Sequence, residues 1–511
     1  MHTLAPKDKI KKMKKLFLEA LCLVSLSGAL PAQDIKDIAS YQINVSRDLW
    51  YNSANTAGLA LGQTGQWRNL SLGYGLQQGS FTDSWQAKSQ NGFSLNGDML
   101  MNLGGFKLKA GVNAERNSLE QCMYNTSVYD VAWDMPFYVA MNTDERFPLT
   151  KSSADIDIAA ASPLLLDGAL AVGLEAKAIC RAASRAEDIV SNYSSFGYEI
   201  APSVTYSITE DNILGLALRF SHLPAQSTVT TYDNSEIGVV FLQGLGSYSA
   251  RWAGGVIALK PLEYSTDMRA VALEYNHLGE KSEWLLEISL DKGSTTVEEQ
   301  SGGRATGRVD RFITGASIQG LFGENRSRKL NLDFRYNLNY WLNGSTAFAQ
   351  NSIIDADLRY TVYTGVDVKP AYDFVLGAGL DFFSLNSTRY TPDGSLKNLS
   401  MLPYAFLGKN TRIGTAGSLL LRLDVGYRFS ANTAYAYTGE NATTNYIVNY
   451  MFDDEVDYLK AYYIRTTAMA SYTHRLSEKL AAYARVDGGY NRPMNGNGNR
   501  VAAALSIGLM F

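Results

Sequence analysis

The end of the chain alternates residue by residue. Val501, Ala503, Leu505, Ile507, Leu509 and Phe511 fall on one face, and Ala502, Ala504, Ser506, Gly508 and Met510 on the other. A period of two is the mark of a β-strand, whose successive side chains point to opposite sides. The pattern recurs upstream. Leu419, Leu421, Leu423, Val425, Tyr427 and Phe429 lie opposite Ser418, Arg422, Asp424, Gly426 and Arg428. Leu330, Leu332, Phe334, Tyr336, Leu338 and Tyr340 lie opposite Asn331, Asp333, Arg335, Asn337 and Asn339. Ile354, Leu358, Tyr360, Val362, Val366 and Val368 lie opposite Asp355, Asp357, Arg359, Thr361 and Asp367. One face carries essentially no charge and the other carries both signs. Runs of roughly 10–15 residues are longer than the ~5–6 of an average globular strand. They suit a tilted strand that crosses a bilayer, which needs about 9–11. A soluble sandwich or propeller is the alternative, but the turns show no propeller-type period.

Composition agrees with long sheets: Tyr 31, Gly 44 and only Pro 12 in 511 residues. Hydrophobic residues at 46% and charged residues at 19% exclude a disordered chain. No window holds the ~18 apolar residues of a spanning helix. A formal net charge of -4 leaves no basic footprint for nucleic acid. Cys 3 is too few for a disulfide scaffold or a zinc ribbon.

At the N-terminus Lys7, Lys9, Lys11, Lys12, Lys14 and Lys15 precede the apolar run Leu16 to Leu30, then Pro31, Ala32 and Gln33. This is the layout of an export signal cleaved after Ala32, with Met13 an alternative start. An exported chain with alternating strands and no spanning helix is expected to be all-β: a transmembrane antiparallel up-and-down β-barrel. The expected divisions are 1–32 signal peptide, 33–66 N-terminal periplasmic or lumenal segment, and 67–511 barrel. Strands are expected near 67–76, 91–103, 106–115, 153–161, 168–180, 197–208, 212–222, 268–278 and 282–291. Others are expected near 307–321, 327–341, 353–369, 372–385, 400–408, 416–430, 461–475, 479–490 and 500–511. That is about 18 strands, with 14–18 the range the boundaries allow. Gly104-Gly105, Glu210-Asp211-Asn212, Gly279-Glu280-Lys281, Glu324-Asn325-Arg326, Lys369-Pro370-Ala371 and Ser477-Glu478-Lys479 read as short periplasmic turns. Connections near 116–152, 223–267 and 431–460 read as long extracellular loops, and 223–267 has room for one more hairpin.

The polar faces carry the candidate site. Asp333, Arg335, Asp355, Asp357, Arg359, Arg422, Asp424, Arg428, Arg485 and Asp487 would line the lumen. Pairs at i, i+2 share one face of one strand. Three readings stay open: solvated pore walls, a local field that orients solutes, or a salt-bridged filled interior. The mixed signs predict no strong anion or cation preference. Small inward residues such as Gly377, Gly379, Gly426, Gly489, Ala502, Ala504 and Gly508 point to strand curvature or to something packed close, a loop, the N-terminal segment or a ligand.

Catalytic and metal chemistry is sparse. His2, His222, His277 and His474 are isolated, and no paired-His spacing exists for a metal. No cofactor, metal or catalytic residue is expected. The acidic run Asp453, Asp454, Glu455 and Asp457 lacks calcium-loop spacing and reads as a solvated loop. Cys122 and Cys180 fall toward the same expected side of an oxidising compartment, so a disulfide between them is a possible link.

In its signal, its alternating strands and its terminal Phe511, the mature chain resembles uncharacterised outer-membrane β-barrel families of Gram-negative bacteria. The segment Asn55-Thr56-Ala57-Gly58, with Trp50 just before it, is similar to the Asn-Pro-Ala-Gly motif of fatty-acid-transporter-like barrels, with Thr56 in place of Pro. That resemblance implies a hatch inside the lumen, with Trp50, Asn55 and Gly58 as its candidate residues. The expected strand count departs from that family's 14.

Together these imply a channel or transporter for small solutes in the cell outer membrane of a Gram-negative bacterium. The alternatives are a non-conducting anchor of a surface complex, binding through its long loops, and fatty-acid-transporter-like uptake of a hydrophobic substrate. Expected partners are outer-membrane lipids and lipopolysaccharide, the barrel-assembly machinery reading Phe511, and a surface lipoprotein.

Overall fold

A computed structural model of the chain describes residues 37–511, apart from 63–64, 84, 123–124, 130–137, 143–146, 186–188, 232–237, 243–247, 252–260, 301–304, 366–371, 391–392, 438–454 and 497. The expected signal peptide therefore lies outside the described residues, as do the expected turn Lys369-Pro370-Ala371 and Val366, Asp367, Val368, Asp453 and Asp454.

The described chain begins with helix α1 (Ile38–Arg47), followed by short 3-10 turns at Trp50–Asn52 and Thr56–Ala60. Asp37 caps α1: its carboxylate accepts from the Ser40 backbone N–H while the Ser40 hydroxyl accepts from the Asp37 backbone N–H. That reciprocal pair satisfies donors a helix start leaves open.

Strands follow in chain order: β1 (Trp67–Gly79), β2 (Ser89–Leu103), β3 (Phe106–Cys122), β4 (Tyr138–Asn142), β5 (Phe147–Ala161), β6 (Leu170–Arg185) and β7 (Ile189–Thr209). Next come β8 (Asn212–Thr231), β9 (Gly238–Leu242), β10 (Tyr248–Arg251), β11 (Leu262–Leu278), β12 (Ser282–Glu299), β13 (Ala305–Phe322) and β14 (Arg328–Asn343). The last are β15 (Thr346–Thr364), β16 (Phe374–Tyr390), β17 (Asp393–Ile413), β18 (Gly417–Tyr437), β19 (Tyr463–Arg475), β20 (Ala481–Pro493) and β21 (Arg500–Met510).

Eighteen of these form one sheet in which each strand pairs antiparallel with its neighbours in sequence. β1 pairs with β21 as well as with β2, so the sheet closes on itself. Closure removes every free edge. All eighteen expected strands are present. Most reach further toward the long-loop end than alternation alone indicated; β15, expected to 369, ends at Thr364. The remaining three strands form a small separate sheet, β10–β9–β4, made from two of the long connections.

The outward face is an apolar belt. Leu72, Leu174, Leu273, Ile288, Leu423 and Leu505 are each about half exposed, which water would penalise and lipid does not. Aromatic side chains border it at the short-turn end, where Trp284, Phe322 and Tyr360 stack side by side. No helix among the described residues is long and apolar enough to cross a membrane.

Candidate functional site: a plugged, charge-lined lumen

Residues 37–62 lie inside the barrel. Ile38, Ala39 and Ile43 of α1 pack on an inward apolar patch that includes Trp67, Phe406, Leu420, Met469 and Tyr483. Inward positions of a water-filled lumen are polar as a rule. The exceptions cluster where α1 rests. Tyr41 donates to Asp98 at 2.8 Å, and the Trp67 indole donates to the same carboxylate oxygen. Burial, with the Asp98 charge next, pushes the Tyr41 and Tyr51 hydroxyls above their ordinary range and keeps them neutral. At the C-terminal end of α1, Lys329 and Arg326's neighbour Asn325 engage the segment: Lys329 donates to the Ser46 carbonyl and Arg47 to the Asn325 carbonyl.

Each residue of the segment 54–58 meets the wall or its own tryptophan. The Ala54 N–H donates to Glu287 at 3.0 Å. Asn55 is fully buried; its amide donates to Glu274 at 2.7 Å and to the Val204 carbonyl at 3.0 Å. Thr56 donates to Glu175 at 3.3 Å, and the Ala57 N–H to Ser203 at 3.0 Å. A Cβ on Gly58 would stand 2.0 Å from the Trp50 ring, so only glycine lets Trp50 close over the turn. On the wall, Gly173 and Gly215 leave the room that Ala57 and Asn55 occupy.

The plug divides the lumen. A cavity of about 920 Å³ has Ser53 and Ala54 on its border, and one of about 1000 Å³ borders Ile38, Tyr41 and Gln42. A third, of about 640 Å³, lies against Asn44, Arg47 and Trp50 among the short turns. Asp333, Arg335, Asp355, Asp357 and Arg428 line the first, and Arg422, Asp424, Arg485 and Asp487 line the second. Arg359 stands beside Asp357 on the same wall.

Strand register sorts these charges in a way the linear sequence does not. Asp333, Asp357 and Asp381 are direct partners across β14, β15 and β16. In the other direction the same row runs through Ser317, Glu287 and Glu274. Carboxylates thus occupy five of six adjacent strands at one level. Beside this row stands a wall of arginines on aromatic rings. Arg422 lies 4.4 Å from the Phe406 centroid, and Arg359 and Arg465 lie 5.6 and 5.8 Å from that of Tyr404. Arg465 reaches Asp381 at 3.2 Å, and Tyr404 accepts from Arg359 while donating to Asp357. Arg422–Asp424 and Arg485–Asp487 pair within their own strands, at 2.6 and 2.7 Å.

Arg428 has a different task from an open pore wall. It is 8% exposed and donates to the Leu459 and Ala461 carbonyls, which draws the helical stretch 455–460 into the long-loop mouth. Phe81 seals beside it, 5.1 Å from Tyr458 and 5.3 Å from Tyr463. Glu455, expected in a solvated loop, is buried there.

The possible link between Cys122 and Cys180 is not made; neither is in a disulfide, and the Cys122 thiol donates to the Trp85 carbonyl at 3.8 Å. Asp155 bonds Arg181, and both face inward, so Cys180 faces outward from mid-strand. Cys122 turns inward near the long-loop end, packed with Leu119 and Leu149. The inward glycines also have a specific use. Gly379 and Gly377 make room for the Tyr404 and Phe406 rings, and Gly508 for Tyr483, so cross-strand aromatics lie flat along the wall. Asp98, Glu175, Glu274, Glu287 and Ser203, which hold the plug, were not singled out in the sequence. Glu274 between outward Leu273 and Tyr275 was readable as inward by alternation; its partner was not.

A closed antiparallel barrel of eighteen strands, with an apolar belt outside and a plugged, charged lumen inside, is the architecture of an outer-membrane β-barrel. The profile of a family of unknown function (DUF6850) matches residues 56–511, and the chain belongs to that family. A search of the curated proteins gives no match. Among solved structures, BauA, the ferric preacinetobactin receptor from Acinetobacter baumannii, is similar at 8% identity and a TM-score of 0.35, covering 87% of this chain and 80% of that one. The toluene transporter TodX of Pseudomonas putida is similar at 10% identity and a TM-score of 0.31, covering 94% and 99%. The ferripyoverdine receptor of Pseudomonas aeruginosa is similar at 9% identity and a TM-score of 0.34, covering 87% and 72%.

Proposed function

We propose that this chain resides in the outer membrane of a Gram-negative bacterium and passes small polar solutes through a lumen that residues 37–62 close at rest. One observation carries this reading: charged cavities of about 920 and 1000 Å³ lie inside the barrel and border a plug held by non-covalent contacts. Barrels of about 16–18 strands are wide enough to leave an aqueous channel. The short turns then face the periplasm and the long loops the exterior. Carboxylates on β14–β16 beside arginines on β15 and β18–β19 set up a field across the lumen, which orients a dipolar solute as it passes. Charged walls disfavour a fatty-acid-like cargo on this path. In the same setting Phe511 is the residue the assembly machinery reads, and the loops above β8 and β18 are the surface a lipoprotein partner would meet.

The test is conductance in a planar bilayer. The mature chain is expected to show small or rare openings, and a variant lacking residues 37–62 a several-fold larger and steady conductance. A heat-modifiable, folded barrel that stays silent in both forms would overturn the channel and favour the anchor.

A further inference from the structure

Arg269 on β11 and Lys292 on β12 are direct cross-strand partners. Among the described strand pairings they are the one place where two of the Lys and Arg side chains face each other. Like charges directly opposite are destabilising unless something neutralises them. Both point outward, away from the lumen, on the side of Leu273, Ile288 and Leu290. Their rung continues into Phe220 on β8 and Phe312 on β13, also outward, so the two cations sit among apolar and aromatic neighbours. Lys292 lies 5.3 Å from the Phe312 centroid. Below them the outward positions are apolar; above them they turn polar, through Asp267, Ser294 and Asp310.

The nearby carboxylates are engaged elsewhere. Asp267 bonds His222 at 2.8 Å, and Asp310 bonds Arg308 at 2.5 Å. Among the described residues Arg269 has no acidic partner. Further along the same two strands Glu263 faces Glu298, an acidic pair in the same cross-strand relation.

We propose that Arg269 and Lys292 form a binding site for the phosphate of an outer-leaflet lipid headgroup. The rung lies at the long-loop border of the apolar belt, where acyl chains give way to headgroups. An anion reaching the pair there must arrive among hydrocarbon, which a lipid phosphate does and a free anion does not. Opposed Cβ atoms about 5 Å apart let both side chains reach one phosphate, and arginine adds a forked donor. The inference rests on the outer-membrane orientation proposed above.

The test uses the full mature chain in phosphatidylcholine vesicles containing diphosphoryl lipid A, with native mass spectrometry counting retained phospholipid and lipid A. The R269Q/K292Q variant is compared with R116Q, which removes a solitary outward arginine. Losing one charge-assisted contact is worth about tenfold in affinity. Wild type and R116Q are expected to retain lipid A, and R269Q/K292Q to bind it at least about tenfold more weakly. Equal retention by all three would overturn the site. So would displacement of lipid A by millimolar inorganic phosphate, which would mark a free-phosphate site. Failure of the wild type to insert at all would instead count against the membrane reading, and gel heat-modifiability separates that outcome.

Discussion

Helix α1 and the Asn55–Gly58 turn occupy the same lumen but are held by different forces. Ile38, Ala39 and Ile43 are held by apolar contact with rings and side chains from many strands. Asn55, Thr56 and Ala57 are held by hydrogen bonds to Glu274, Glu175 and Ser203, on β11, β6 and β7. Apolar burial is non-directional and scales with area, so α1 can shift a little without losing its hold. The turn cannot: a donor moved away from a buried acceptor leaves that acceptor unmet. The difference separates an anchor from a latch.

Trp50 belongs to both halves, since it packs with Leu49 against Ile213, Leu285 and Leu321 and closes over Gly58. Trp50→Ala is expected to weaken docking of the whole segment by about 3–5 kcal/mol. Amide exchange would then accelerate from 38 to 60. Ile43→Ala removes apolar contact from α1 alone and is expected to weaken docking by about 2–5 kcal/mol, with faster exchange in 38–47 and little change in 54–58. Asn55→Ala should do the reverse, at about 1–3 kcal/mol, exposing 54–58 first and raising the open probability in bilayer recordings. Uniform acceleration along the segment in both single variants would show one cooperative unit and dissolve the anchor–latch distinction. Tyr41→Phe, which only removes the bond to Asp98, is expected to lower docking by about 1 kcal/mol; an effect as large as that of Trp50→Ala would place the latch on α1 instead.

Strand positions were legible because the belt imposes a strict period of two on the outward face, as in Leu419 to Phe429. They were under-read at the long-loop ends for a physical reason. On β7 and β8 the outward positions become Ser194, Asn192, Gln226 and Thr228, so the contrast between faces disappears while the ladder continues. The lumen charges were assigned to the inward face by the same rule, but their grouping was not visible. Asp333, Asp357 and Asp381 meet only through register, which depends on turn geometry. The Asn55–Glu274 contact spans 219 residues, and nothing local to either residue announces it. Cys180 shows the limit of topology: it falls toward the same end of the barrel as Cys122, but its side chain turns to the other face.

The seam between β1 and β21 ties the plug to the closed ring. The plug precedes β1 by only a few residues, yet the partners of its turn stand on β6, β7, β11 and β12, and β1 also pairs with β21. The N-terminal segment is therefore next to the seam in sequence and remote in sequence from the groups that hold its turn. Without β11 and β12 in place, Asn55 lacks Glu274, Ala54 lacks Glu287, and those two side chains lack their donors. A docked Asn55 thus reports that the wall is paired from β6 through β12, which neither helix α1 nor the turn alone can report.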